Sequence, residues 1–108
     1  MDKLKANMAA AKMLYPSSLR VLIKGGGLLS IQHEPKGIKN YFNLFTNPSD
    51  LVAVVKCLGE KYSTYIVFDN HKKVWTSCYC HDDADYEFER ATYEEAVAAA
   101  CIATQEGA

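Results

Sequence analysis

Residues 85–90, Asp-Tyr-Glu-Phe-Glu-Arg, alternate between polar and aromatic side chains. A period of two is the signature of a strand with one face in a core and the other in water. It sends Tyr86 and Phe88 inward and Asp85, Glu87 and Glu89 outward. A row of carboxylates also suits a sheet edge, because it discourages pairing with another strand. Two residues later the period changes. Thr92 with Glu95 forms a capping box, and Tyr93, Ala96, Val97, Ala100 and Thr104 form an apolar stripe at helical spacing. The alanines on that stripe allow close approach to a sheet. A strand that feeds directly into a helix lying on it restricts this part of the chain to an α+β arrangement.

The remaining segments extend the pattern. Over residues 2–15, Leu4, Met8, Ala11 and Tyr15 recur at helical spacing, and Pro16 stops the helix. Residues 19–24 and 28–33 are apolar runs around Gly25-Gly26-Gly27. This reads as a hairpin turn rather than a phosphate cradle, since strand and not helix follows. Pro35-Lys36-Gly37 connects to a third strand over 40–46, rich in β-forming residues. Asn47-Pro48-Ser49-Asp50 opens a helix ending near Gly59, with Leu51, Val54, Val55 and Leu58 on one stripe. Residues 62–69 and 73–80 read as strands joined at Asn70-His71-Lys72, a tip that leaves His71 in solvent. His81 to Asp85 reads as a polar loop. Pairing Phe68 with Val74 places Tyr65, Val67, Trp75 and Tyr79 on one face, which is then either covered or a binding surface.

The expected fold is therefore α+β, in the order α-βββ-α-βββ-α. Antiparallel sheets pack with helices in a single domain over 1–108. It comprises an N-terminal helix (2–15) and two βββα units (19–60 and 62–105), repeated in topology more than in sequence. The composition agrees: of 108 residues, 49% are hydrophobic and 23% charged, the usage of a globular domain. No apolar run reaches the roughly 20 residues of a membrane span. The first fifteen residues are amphipathic rather than a signal sequence. An intracellular, cytoplasmic setting is expected.

The net charge of −1 conceals a division. Residues 1–48 sum to +5, with Lys3, Lys5, Lys12, Arg20, Lys24, Lys36 and Lys39 against Asp2 and Glu34. Residues 49–108 sum to −6. Four cysteines stand at 57, 78, 80 and 101. Cys78-Tyr79-Cys80-His81 has too short a spacing for the usual zinc pair and no second matched pair. On a strand, Cys78 and Cys80 share a face, and both are expected to fill core space. No metal and no cofactor are implied.

Two resemblances rest on particular residues. Residues 48–105 have the element order of the double-stranded RNA-binding domain, and Ala91-Thr92-Tyr93-Glu94-Glu95-Ala96 is similar to the start of that family's last helix. The family's phosphate-holding lysines are replaced here by Tyr93, Glu94 and Glu95, which would repel phosphate. The same stretch resembles small phage-encoded α/β (ABA) sandwich proteins. The likeness lies in Asn47-Pro48-Ser49-Asp50, in Tyr65-Ile66-Val67-Phe68-Asp69 with Val74-Trp75, and in the Thr92 helix start. This second resemblance implies an accessory protein of a phage or mobile element and transfers no catalytic residue.

No nucleophile–base motif, phosphate-binding loop or metal motif is present, so a non-enzymatic protein is expected. Asp82, Asp83, Asp85, Glu87, Glu89, Glu94 and Glu95 are seven acids within fourteen residues. Asp82, Asp83, Asp85, Glu87 and Glu89, with Tyr79 and Tyr86 as aromatic anchors, form the candidate partner-binding site. Such a patch suits the basic groove of a nucleic-acid-binding host protein, as anti-CRISPR inhibitors do by analogy. Two other readings are a nucleic-acid-binding module using the basic half and a homo-oligomeric structural protein.

Overall fold

A computed structural model describes residues 2–15, 19–23, 29–33 and 37–106, with side chains over 2–15 and 42–106. The order is α1 (Lys3–Leu14), β1 (Leu19–Ile23), β2 (Leu29–His33), β3 (Gly37–Phe42), α2 (Pro48–Lys61), β4 (Ser63–Asp69), β5 (Val74–His81), β6 (Ala84–Arg90) and α3 (Tyr93–Gln105). This is the α+β order expected from the sequence. The strands form two antiparallel meanders, β1-β2-β3 and β4-β5-β6. The glycine turn at 25–27, the Pro16 stop and Pro35 and Lys36 of the expected Pro35-Lys36-Gly37 connection lie outside the described residues, as do the side chains of Arg20, Lys24, Lys36 and Lys39, while Gly37 already belongs to β3.

Local chemistry sets the helix starts. The Asp2 carboxylate accepts the Lys5 N–H at 3.0 Å. Asn47 accepts the Ser49 N–H ahead of Pro48, and Thr92 accepts the Glu95 N–H at 3.2 Å. Each satisfies a donor that the first turn leaves without a helical partner. α2 continues to Lys61, two residues past Gly59, because nothing there demands a left-handed residue.

α3 is the centre of the packing. Ala96 through Cys101 and Ala103 are all buried, so burial extends well beyond the expected stripe. One side of α3 lies across β5 and β6 and another meets α1, while α2 packs on β4 and α1. The facing surface of α1 is likewise small, with Ala6, Ala9, Ala10 and Ala11 buried. Leu4 and Met8, expected on the inner stripe, sit only half-buried at its margin. Around this axis Phe42, Leu44, Val54, Leu58, Tyr79 and Val97 are fully or almost fully enclosed. Each large apolar side chain contributes about 1.5–3 kcal/mol relative to exposure.

A buried polar cluster ties the layers together. The Asn7 side chain accepts the Leu44 N–H at 3.0 Å and donates to Asn43 Oδ1 at 3.4 Å. Asn43 Oδ1 accepts the Phe45 N–H at 2.9 Å. The Asp50 carboxylate accepts the Asn43 N–H at 3.0 Å. These bonds correct the third strand. It was expected over 40–46, but Asn43 gives its backbone donor to Asp50 and Leu44–Thr46 turn, so β3 ends at Phe42. Ser77 then pins the sheet to α3 by donating to the Ala96 carbonyl at 2.7 Å.

The β4–β5 register is also corrected, by one residue. Phe68 lies opposite Trp75, Ile66 opposite Ser77 and Tyr65 opposite Cys78. A one-residue slip reverses every side chain of a strand. Trp75 and Tyr79 therefore face the helices with Ile66, while Tyr65 and Val67 face away. Tyr79 is fully buried and stacks on Tyr86 and Phe88 at 5.1 and 6.2 Å.

Ala100→Leu is expected to lower stability by about 1–3 kcal/mol through overpacking, read as a lower urea midpoint. Asn7→Leu is expected to cost about 1–3 kcal/mol, because it leaves the buried Leu44 N–H without its acceptor. In both variants an unchanged midpoint would contradict this packing.

Candidate functional site

All three helices lie to one side of the β4-β5-β6 sheet or beyond α3, and no described element covers its other face. That open face is built in cross-strand rows. Ser63, Cys80 and Asp85 form one row, Tyr65, Cys78 and Glu87 the next, and Val67, Thr76 and Glu89 a third. The alternation of β6 thus places the carboxylates of Asp85, Glu87 and Glu89 side by side in water, as expected. Tyr65 and Val67 are each about half exposed beside them, at 49% and 47%.

Each carboxylate has a partner within the sheet. Cys80 donates its thiol hydrogen to Asp85 Oδ1 at 2.6 Å. The Tyr65 hydroxyl donates to Glu87 Oε1 at 3.2 Å, passing above Cys78, which explains why Cys78 is buried on an otherwise open face. Lys72 reaches from the opposite hairpin tip to Glu89 Oε1 at 2.9 Å. Hydrogen bonds, first with Cys78 and then with Glu87, push the Tyr65 hydroxyl up to about 12. It therefore remains a donor at neutral pH. The Cys80 thiol is pushed up to about 11, chiefly by its bond to the Asp85 carboxylate. Cys101 reaches about 12 through burial between the helices.

The acidic row ends in a tight turn rather than the expected loop. β5 and β6 join through Asp82 and Asp83 alone, with His81 paired to Ala84. Both aspartates have positive φ, 51° and 63°. That is the geometry of a type I′ hairpin, which Asp tolerates better than most residues. Both carboxylates are exposed at the tip, and Asp82 Oδ2 lies 3.3 Å from His81 Nε2. His71, at the other tip, is exposed as expected.

The seven-acid run is divided in space. Asp82, Asp83, Asp85, Glu87 and Glu89 share the open face and its turn. Glu94 and Glu95 lie on the helix side, lining a hollow of about 300 Å³ with Lys3 and Phe45. Neither aromatic anchor expected from the sequence belongs to the acidic face. Tyr79 has no accessible surface to offer a partner, and Tyr86 is half-buried beneath the sheet against it. The aromatic side chain on the acidic face is Tyr65. Two aspartates in a two-residue turn, followed outward along the ladder, would have revealed it. The core-filling role expected for the thiols holds for Cys78 by burial and not for Cys80, which is exposed.

Among the described residues, no group of three or more His, Cys, Asp or Glu side chains is arranged to hold a metal ion. Lys5 is paired with Glu106 at 2.7 Å beside a groove of about 450 Å³ between α1 and α3, lined by Leu4, Met8 and Ile102. Lys3 lies 5.4 Å from the centre of the Phe45 ring. No described helix is long and apolar enough to cross a membrane. No family model, curated protein or solved structure matches the chain.

Exposed Cys80 is expected to react slowly with iodoacetamide at pH 8, since a thiol raised to about 11 holds little thiolate. Asp85→Asn should increase its alkylation roughly tenfold or more, followed by peptide mass spectrometry. An unchanged rate would show that the carboxylate does not govern the thiol.

Proposed function

We propose that this chain is a non-catalytic binding protein whose acidic open sheet face docks on a basic surface of a host macromolecule. Support comes from one juxtaposition. Tyr65 and Val67 are half exposed beside Asp85, Glu87 and Glu89 on a face that no described element covers. An aromatic and an aliphatic contact bordered by carboxylates match the anatomy of a protein interface with a charged rim. Carboxylates arrayed along one strand also accelerate encounter with a basic partner. A nucleic-acid-binding host protein presents such a surface. Occupying it would inhibit that protein, which is the role of a phage-encoded counter-defence protein acting in the host cytoplasm.

The second reading, a nucleic-acid-binding module, draws support from the order α2-β4-β5-β6-α3. Its difficulty is electrostatic: phosphate meets carboxylates on the open face, and Lys5 is already paired with Glu106. The two readings separate by affinity capture from host lysate with and without nuclease. A stoichiometric protein retained after nuclease treatment is expected. Loss of the catch with nuclease would favour the module.

The combined variant Glu87→Lys with Glu89→Lys tests the face itself. It leaves the Asp82–Asp83 turn intact, where positive φ disfavours most replacements. Capture at low salt should fall at least tenfold, with a smaller difference at high salt as screening removes the steering field. Unchanged capture at low salt would reject the acidic face as the interface.

A further inference from the structure

The exposed large hydrophobic side chains among the described residues are Val52, Tyr65, Val67 and Phe68. All four belong to α2 and β4, which follow one another in the chain. β4 is an edge strand. It pairs with β5 on one side and with no described strand on the other. The two edges of this sheet differ in kind. β6 carries Asp85, Glu87 and Glu89. From Ser63 through Phe68, β4 carries no charge and is made of hydroxylic, β-branched and aromatic residues. A neutral apolar edge with free backbone donors and acceptors is a template for another strand.

The helix beside this edge is shaped to admit one. Val52, Val55 and Gly59 follow each other at spacings of three and four, so they share a face of α2. Val55 and Gly59 line a hollow of about 280 Å³ together with Thr64, Tyr65, Ile66 and Tyr93. At Gly59 no heavy atom lies within 4 Å of the place a Cβ would take.

We propose that a second copy of this chain pairs antiparallel with β4 across a two-fold axis, joining two three-stranded sheets into one of six strands. A two-fold contact sets each residue against itself or its mirror, so charge on the edge would oppose its own copy. That excludes like pairing of β6 edges and favours β4. The strand is also self-complementary. Ile66 is the middle residue of Ser63–Asp69. Pairing about it sets Tyr65 beside Val67 of the second copy twice over, as two cross-strand pairs on the same face. Phe68 then lies opposite Thr64, and the two α2 helices flank the seam with Val52 between them. The contact uses none of Asp85, Glu87 and Glu89, and it shares Tyr65 and Val67 with the proposed partner-binding face.

Sedimentation equilibrium tests this. The native protein is expected to approach twice the 12.0 kDa chain mass as concentration rises. Val67→Lys and Tyr65→Glu should each weaken self-association at least tenfold while retaining native circular dichroism. Mixed in equal amounts, the two variants should associate again, because the register sets the introduced ammonium of one copy against the introduced carboxylate of the other. A monomer at every concentration would overturn the proposal and leave the edge to an extended segment of another protein. A dimer indifferent to both substitutions would overturn it as well. Failure of the mixture to recover would reject the register about Ile66.

Discussion

The architecture depends on how closely α3 can approach its neighbours. Residues 96–101 are buried because this helix lies between a sheet and another helix. Alanine on both α1 and α3 brings the two backbones near, and Asn7 on the same first helix reaches the Leu44 N–H. The same closeness on the sheet side lets Ser77 reach the Ala96 carbonyl. With the sheet held there, Tyr79 lies beneath the helices, and its ring stacks on those of Tyr86 and Phe88 along β6. One constraint of size thus propagates to the polar cluster, the sheet register and the choice of which face remains open.

The elements legible in the sequence were those whose chemistry is local. Thr92 with Glu95, and Asn47 ahead of Pro48, announce their helices because a cap is satisfied within three residues. β6 announces itself because its partners are water on one side and aromatic packing on the other. The end of β3 was not legible. Asn43 leaves the ladder for the carboxylate of Asp50 and is met by Asn7, thirty-six residues away, and no local pattern encodes that meeting. The β4–β5 register failed for a related reason. Both strands are apolar on both faces, so the alternation that fixes register is weak there. Only the neighbouring strand, with its strict alternation, transmits the correct phase.

The candidate surface was legible in its charges and not in its aromatics. The carboxylates of Asp85, Glu87 and Glu89 follow from period alone. Tyr79 and Tyr86 are close to them in sequence and not in space, because successive strand residues point to opposite faces. Tyr65 arrives from two strands away and joins the acids through a bond to Glu87. Its hydroxyl bridges the sheet above Cys78, so the open face is a cross-linked surface rather than a set of independent side chains.

The alanine seam between α1 and α3 has a kinetic side. An alanine methyl buries far less apolar area than a leucine side chain, at about 0.8 kcal/mol per carbon group. Much of what holds α1 in place is therefore close backbone approach, the Asn7 bonds, and the hold of Lys61 on the Met13 carbonyl at 3.4 Å. α1 and α3 are also separated by most of the described chain, so their meeting carries a large loop-closure cost, while the β4-β5-β6 meander forms from neighbours. Docking of the first helix thus rests on long-range contacts, whereas the β4-β5-β6 meander rests on local ones.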